Sequence, residues 1–133
     1  MVLAEKIAAV ERHLERVVDK LPADAKDFKP STDAGDAVVL HLWQAVQIVI
    51  DIALAACVRR NLGTPATYGD AFRRLAEDGI LEEGLAVRLV RASGFRNALV
   101  HTYEKLDMRR VHEAASTGPA DLRAFLAEIT KTL

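Results

Sequence analysis

The sequence predicts an all-α fold, a single-domain up-and-down bundle of about five helices across residues 1–133. Three observations carry that prediction. Apolar residues recur at three- and four-residue steps over most of the chain, no stretch alternates with the period of two that a half-buried strand needs, and Pro, Gly and capping residues cut the chain into helix-length segments. Half of the 133 residues are hydrophobic, so a core can be filled without disulfides or a metal.

The first helix is written in Leu3, Ile7, Val10, Leu14, Val17 and Leu21, which form one apolar stripe while Glu5, Arg12, Glu15, Arg16 and Asp19 stay outside it. Pro22 ends the pattern. A connector follows through Ala23–Pro30, and Ser31, Thr32 or Asp33 can cap the next helix. From Ala37 to Val58 the chain is apolar on nearly all sides, the signature of a membrane span or of a helix surrounded by others. Asp51 favours the second reading, because a carboxylate deep in hydrocarbon is costly and His41, Gln44, Gln47 and Asp51 recur as a polar stripe along one side. A central bundle helix is expected, with no membrane partner. Arg59 and Arg60 complement its negative end, and Gly63 is its expected C-terminal cap.

Thr67 and Asp70 form a T-x-x-D capping pattern that starts a short helix running to about Asp78, with Gly79 as its stop. Tyr68, beside that cap, reads as a packing aromatic. A fourth helix starts near Leu81. Gly118-Pro119-Ala120-Asp121 is expected to launch a last one, whose apolar face is Leu122, Phe125, Leu126 and Ile129.

The formal net charge of −1 argues against a protein that coats nucleic acid through bulk electrostatics. Locally the balance differs. Between Gly84 and His112, Arg88, Arg91, Arg96, Lys105, Arg109 and Arg110 face only Glu104 and Asp107, so six minus two leaves four positive charges, a patch suited to a polyanion. The single Cys57, between Ala56 and Val58, reads as a small buried apolar residue rather than a nucleophile. Glu5 and Lys6 interrupt any apolar leader directly after Ala4, so a cytoplasmic protein is expected.

The chemistry concentrates in Gly94-Phe95-Arg96-Asn97-Ala98-Leu99-Val100-His101-Thr102-Tyr103. An arginine is a permanent cation that can fork two hydrogen bonds to phosphate oxygens, and a histidine exchanges protons near neutral pH. Asn97 lies one turn before His101. Two stripes run along this helix: Leu85, Leu89, Ala92, Arg96, Leu99 and Tyr103 on one, Val87, Val90, Gly94, Asn97 and His101 on the other. They lie roughly 160 degrees apart, so Arg96 and His101 cannot face one phosphate from a straight, isolated helix. Either the helix unwinds near Val100 or a second copy of the chain completes the site. Gly94 favours close approach of another helix, because a mid-helix glycine costs about 1 kcal/mol relative to alanine and usually has a packing reason. Asp51 could hold Arg96 or His101 from the neighbouring helix, or satisfy a hydrogen-bond network as a buried charge. His13, His41 and His112 have no comparable partners. No metal-ligand spacing, Gly-rich phosphate loop, serine elbow or paired catalytic carboxylates are found, so neither metal nor cofactor is called for.

The R-x4-H-x-Y segment resembles the signature of the HEPN superfamily and, within it, the HepT-like toxins. Ile50-Asp51-Ile52-Ala53, Gly63-Thr64-Pro65-Ala66-Thr67-Tyr68 and Gly94-Phe95-Arg96-Asn97 occur in that family's order. The resemblance spans roughly residues 1 to 130. It implies a HEPN-like bundle forming a homodimer with the two motif segments face to face, acting as a metal-independent endoribonuclease. On the matching positions, His101 serves as acid or base, Arg96 stabilises the phosphate and Asn97 orients. It further implies the toxin half of a type VII-like toxin–antitoxin pair, silenced when an MntA-like nucleotidyltransferase antitoxin adds AMP to Tyr103. A different implication of the same resemblance is a non-catalytic HEPN module that partners a nucleotidyltransferase or grips nucleotide.

Overall fold

The computed structural model describes residues 2–101 and 105–132, with the His101 side chain outside that set. Among the described residues there are five α-helices and no strand: α1 Leu3–Lys20, α2 Asp33–Arg59, α3 Tyr68–Glu77, α4 Glu83–His101 and α5 Met108–Thr132. A short 3-10 turn, Ala25–Asp27, interrupts the connector after α1.

Helix α2 is the axis. It has the length and apolarity of a membrane span, and half of that span is buried, with α1, α3, α4 and α5 packed along it. Val38, Leu42, Ala45, Val49, Ile50, Ala53 and Ala56 are all buried along it. Thr32 provides the cap, its side chain accepting from the Gly35 N–H at 3.0 Å. The expected C-terminal cap at Gly63 falls two residues late. Arg60 is the capping residue and Asn61 adopts the left-handed conformation (φ 59), so that Asn61 N–H reaches Val58 O and Leu62 N–H reaches Cys57 O. Asparagine tolerates that conformation nearly as well as glycine, and the two bonds satisfy carbonyls the helix end would leave orphaned. Gly63, also at positive φ, serves the following turn.

α1 buries Val10, Leu14 and Val17 against α2 as its stripe requires. α3 is started by Thr67, whose side chain accepts from the Asp70 N–H, and stopped by Gly79 at φ 82. Both ends match the sequence reading. An ion pair of 2.7 Å between Arg60 and Asp78 ties the ends of α2 and α3 together.

α5 departs from expectation. Gly118-Pro119 does not launch a helix. It sits inside one that begins ten residues earlier, where the Asp107 side chain accepts from the Arg109 N–H. A proline inside a helix removes a backbone bond and costs about 3 kcal/mol. Here Val111, Ala115, Pro119, Leu122, Phe125, Leu126 and Ile129 form one uninterrupted buried stripe across it, and that burial outweighs the local penalty. Phe125 meets Phe72 of α3 edge-on at 5.7 Å between ring centroids. Cys57 is fully buried, its thiol against Ala71 O, and burial pushes that thiol up.

The three histidines outside the motif, without partners comparable to those of His101, have structural ones. His13 of α1 and His41 of α2 place their Nδ1 atoms 2.9 Å apart, and His112 Nε2 lies 2.7 Å from Pro22 O. An Nδ1–Nδ1 hydrogen bond needs one bare nitrogen, so the pair accommodates one proton between the rings and not two. Burial first, then His41 and Arg12, holds the His13 imidazole below its ordinary value of about 6.5. The unfolded chain therefore takes up this proton more readily than the folded one. The stability from His13 is complete above about pH 6.5 and is lost as pH falls through the lowered folded value. Thermal melts from pH 7.5 to 5 should show the midpoint falling on acidification, and His13→Asn should flatten that fall. Parallel curves for the two proteins would disprove the linkage.

Candidate active site

The two stripes on α4 separate except at Val90, which belongs to the outer one but is half-buried and packs against the core. Leu85, Leu89 and Leu99 are buried, while Val87, Gly94 and Asn97 face outward. Arg96 lies on the inner stripe, half-buried, and its charge is handled by three neighbours. Its Nε donates to Gln47 Oε1 on α2 at 2.7 Å, and its Nη1 donates to Asn97 Oδ1 at 3.1 Å. The guanidinium carbon sits 5.5 Å from the centre of the Tyr68 ring at the start of α3, within cation–π range. Gln47 is itself oriented, its Nε2 donating to Asp51 Oδ1 at 3.0 Å one turn further along α2.

Three helices thus converge on one guanidinium. The relay assigns the amide of Gln47 without ambiguity: the oxygen must face the arginine and the nitrogen the carboxylate. The same reasoning fixes Asn97, whose oxygen is taken up by Arg96, leaving its N–H2 as a donor. Tyr68 is held in place because Thr67 caps α3, and Asp70 accepts from the Ala66 N–H and from Arg74. Those contacts, the Ala66 hydrogen bond foremost, hold the Asp70 carboxyl below the usual carboxylate range.

Several expectations are revised by this geometry. Asp51 is exposed rather than buried, and it reaches Arg96 only through Gln47. The reason is its place at the outer end of the polar stripe on α2, where the neighbouring helices leave that side open. Tyr68 is a packing residue, as read, but it also carries the arginine. Gln47 was visible in the sequence only as one member of the stripe. Its spacing of four from Asp51 is the signal that could have singled it out. Asn97 is brought to Arg96.

α4 remains helical through Val100 to His101, so within the described residues the helix does not unwind to bring Arg96 and His101 together. Tyr103 and the His101 side chain lie outside the described residues. Gly94 is exposed, and a Cβ built on it meets nothing within 4 Å. Among the described residues no other helix approaches there. Among the described residues no three His, Cys, Asp or Glu side chains gather into a metal-binding group.

A helical bundle that presents a positioned arginine on an otherwise core-forming helix, with an R-x4-H-x-Y segment around it, is the arrangement of a HEPN-type fold. The model of the Ribonuclease HepT-like family matches residues 6–129, and the chain belongs to that family. A relative from Shewanella oneidensis named mRNA nuclease HepT is 28% identical over 125 residues, covering 94% of this chain and 93% of the relative. A protein of Archaeoglobus fulgidus, provisionally named an RNase, is 30% identical over 130 residues and covers 96% and 90%. Among solved structures, the tri-AMPylated Shewanella oneidensis HEPN toxin in complex with MNT antitoxin superposes with a TM-score of 0.87 at 28% identity, covering 98% of this chain and 99% of that one.

Removing the Gln47 amide should free the arginine. In Gln47→Ala the Arg96 Nε–H should exchange with solvent faster than in the wild type by NMR, at a stability cost of about 0.5–1.5 kcal/mol by urea denaturation. Unchanged exchange would show that Gln47 does not hold it.

Proposed function

We propose that the chain, acting as one bundle domain, is a metal-independent endoribonuclease and the toxin of a toxin–antitoxin pair. What supports this reading most is the positioning of Arg96. A guanidinium braced by Gln47, Asn97 and the Tyr68 ring stands five residues before His101, in a chain of the HepT-like family. In the reaction, the ribose 2′-oxygen attacks the phosphorus and the bond to the 5′-oxygen breaks, leaving a 2′,3′-cyclic phosphate. An imidazole of His101 takes the 2′-hydroxyl proton, and an acid returns a proton to the leaving 5′-oxygen. Arg96 neutralises the crowded phosphate, and the Asn97 amide orients it.

The outward position of Val87, Gly94 and Asn97 supports a homodimer in which two α4 helices face each other. There the Arg96 of one copy and the His101 of the other meet in one cleft. An MntA-like nucleotidyltransferase is the proposed antitoxin. It transfers AMP from ATP to the Tyr103 hydroxyl and releases pyrophosphate. The added phosphates would pair with Arg96 and fill the cleft. Shewanella oneidensis toxin in its tri-AMPylated state bound to an MNT antitoxin is the relative that supports this regulation.

Expression of the wild type should arrest growth and the purified protein should cleave RNA in EDTA, sedimenting as a dimer at micromolar concentration. His101→Ala should lower cleavage by about 10²–10⁴-fold and Arg96→Ala by about 10²–10³-fold. A pure wild-type protein that leaves RNA intact and growth unaffected would sink the assignment. Tyr103→Phe should cleave RNA as the wild type does while incorporating no AMP from labelled ATP and antitoxin. Continued labelling of that variant would move the acceptor elsewhere.

A further inference from the structure

A groove of about 450 Å³ lies between α4 and α5, lined on the motif helix by Ala92 and Phe95. Its floor is apolar, formed by Leu42 and Val46 of α2, Ala92 of α4 and Leu122 of α5. Phe95, half-buried and immediately before Arg96, forms part of the wall. The opposite wall includes Gly118, where a built Cβ meets nothing within 4 Å, so that side of the groove is left open. The volume falls in the range of small-ligand sites.

The rim is charged, and its charges are unequally spent. Arg88 is bound to Asp121 at 2.9 Å, so that pair cancels. Arg91 has no ion pair among the described residues. Arg110 has only Asp107, at 3.9 Å, and is 83% exposed. Arg91 is therefore unpaired at the mouth and Arg110 only loosely paired, with Glu113 the one lining carboxylate outside the Arg88–Asp121 pair. An aromatic ring over an apolar floor, one unpaired and one loosely paired guanidinium and one acceptor match the parts of a single nucleotide: a base to stack, phosphates to pair and a hydroxyl that donates.

We propose that this groove is a subsite for single-stranded RNA, holding a nucleotide next to the scissile one. The base lies against Phe95 and the aliphatic floor, Arg91 and Arg110 grip the backbone phosphates, and Glu113 accepts from the ribose 2′-hydroxyl. The inference rests on the ribonuclease reading and deepens it. The α4 segment then carries two jobs on adjacent residues, Arg96 toward the reacting phosphate and Phe95 toward the neighbouring base.

The test is binding of a fluorescein-labelled 12-nucleotide single-stranded RNA, and of its DNA counterpart, to full-length His101→Ala protein over a range of salt. Arg91→Ala and Arg110→Ala should each weaken RNA binding and reduce the slope of log affinity against log salt by about 0.7, as loss of one phosphate contact to a single strand requires. Phe95→Leu should weaken binding about five- to hundredfold. Glu113→Gln should narrow the preference for RNA over DNA. Arg16→Ala, which removes the same charge from exposed α1, should keep the parent slope. Because Phe95 also touches the core, the exposed arginines decide the matter if its variant misfolds. A double Arg91→Ala, Arg110→Ala protein with the parent affinity and slope overturns the subsite while leaving cleavage by the wild type, and so the ribonuclease reading, intact. The same double variant losing antitoxin binding but not RNA binding assigns the groove to a protein partner and equally overturns it. A parent protein that neither binds nor cleaves RNA removes both proposals.

Discussion

Holding one permanent cation on the inward side of a helix is the constraint around which the site is organised. Arg96 occupies a stripe otherwise used for the core, between buried Leu89 and Leu99. A guanidinium there must exchange its water for acceptors of fixed geometry or be expelled, since an unsatisfied charge costs far more than an aliphatic residue gains. Gln47 meets that need with a neutral acceptor, and Asp51 orients the amide from one turn away. Placing the carboxylate at second remove matters. A direct Asp–Arg pair would hold the cation more firmly but cancel its charge, whereas an amide relay fixes direction and leaves most of the positive field for an incoming anion.

The division of α4 into an inner and an outer side follows from the same arrangement. Leu85, Leu89 and Leu99 anchor the helix, so the outer stripe is free to carry polar and small residues without loss of core. Gly94 lies in its middle with open space before it. A glycine there weakens the helix and meets no packing need among the described residues. In the proposed homodimer it would let a second backbone come near. The regular helix through His101 adds to that argument, because the angular distance from Arg96 is fixed by helix geometry and not relieved by unwinding.

Much of the bundle was legible because it is local. The stripe of α1, the T-x-x-D start of α3 and its glycine stop each depend on residues within one or two turns, and all appear where periodicity and capping place them. The failures are tertiary. Pro119 is a helix starter by every local rule, yet the buried stripe from Val111 to Ile129 crosses it, and only the packed neighbours of α5 reveal that the stripe is continuous. The left-handed turn at Asn61 rather than Gly63 is a choice between two permissible residues, decided by where the chain must turn toward α3. Gln47 and Arg96 are 49 positions apart, and His13 and His41 are 28 apart. No periodicity links such pairs, so the motif residues were found while the residue that aims them was not. Asp51 was found for a reason that proved only half right, as a polar residue in an apolar helix, but it lies at the exposed edge of the stripe.

An arginine also limits how such a site can be turned off. Its charge persists at every pH a cell reaches, so no proton switch built on Arg96 is available. Moving it would require breaking contacts to α2 and α3 together, which a small local change does not supply. What remains is to cover it or to bring negative charge beside it. A covalently attached phosphate does both, and its effect grows with the number added. On that reasoning the rigidity of the Gln47 clasp supports the proposed silencing by nucleotide addition: the more firmly the cation is held, the more an off state must be imposed from outside.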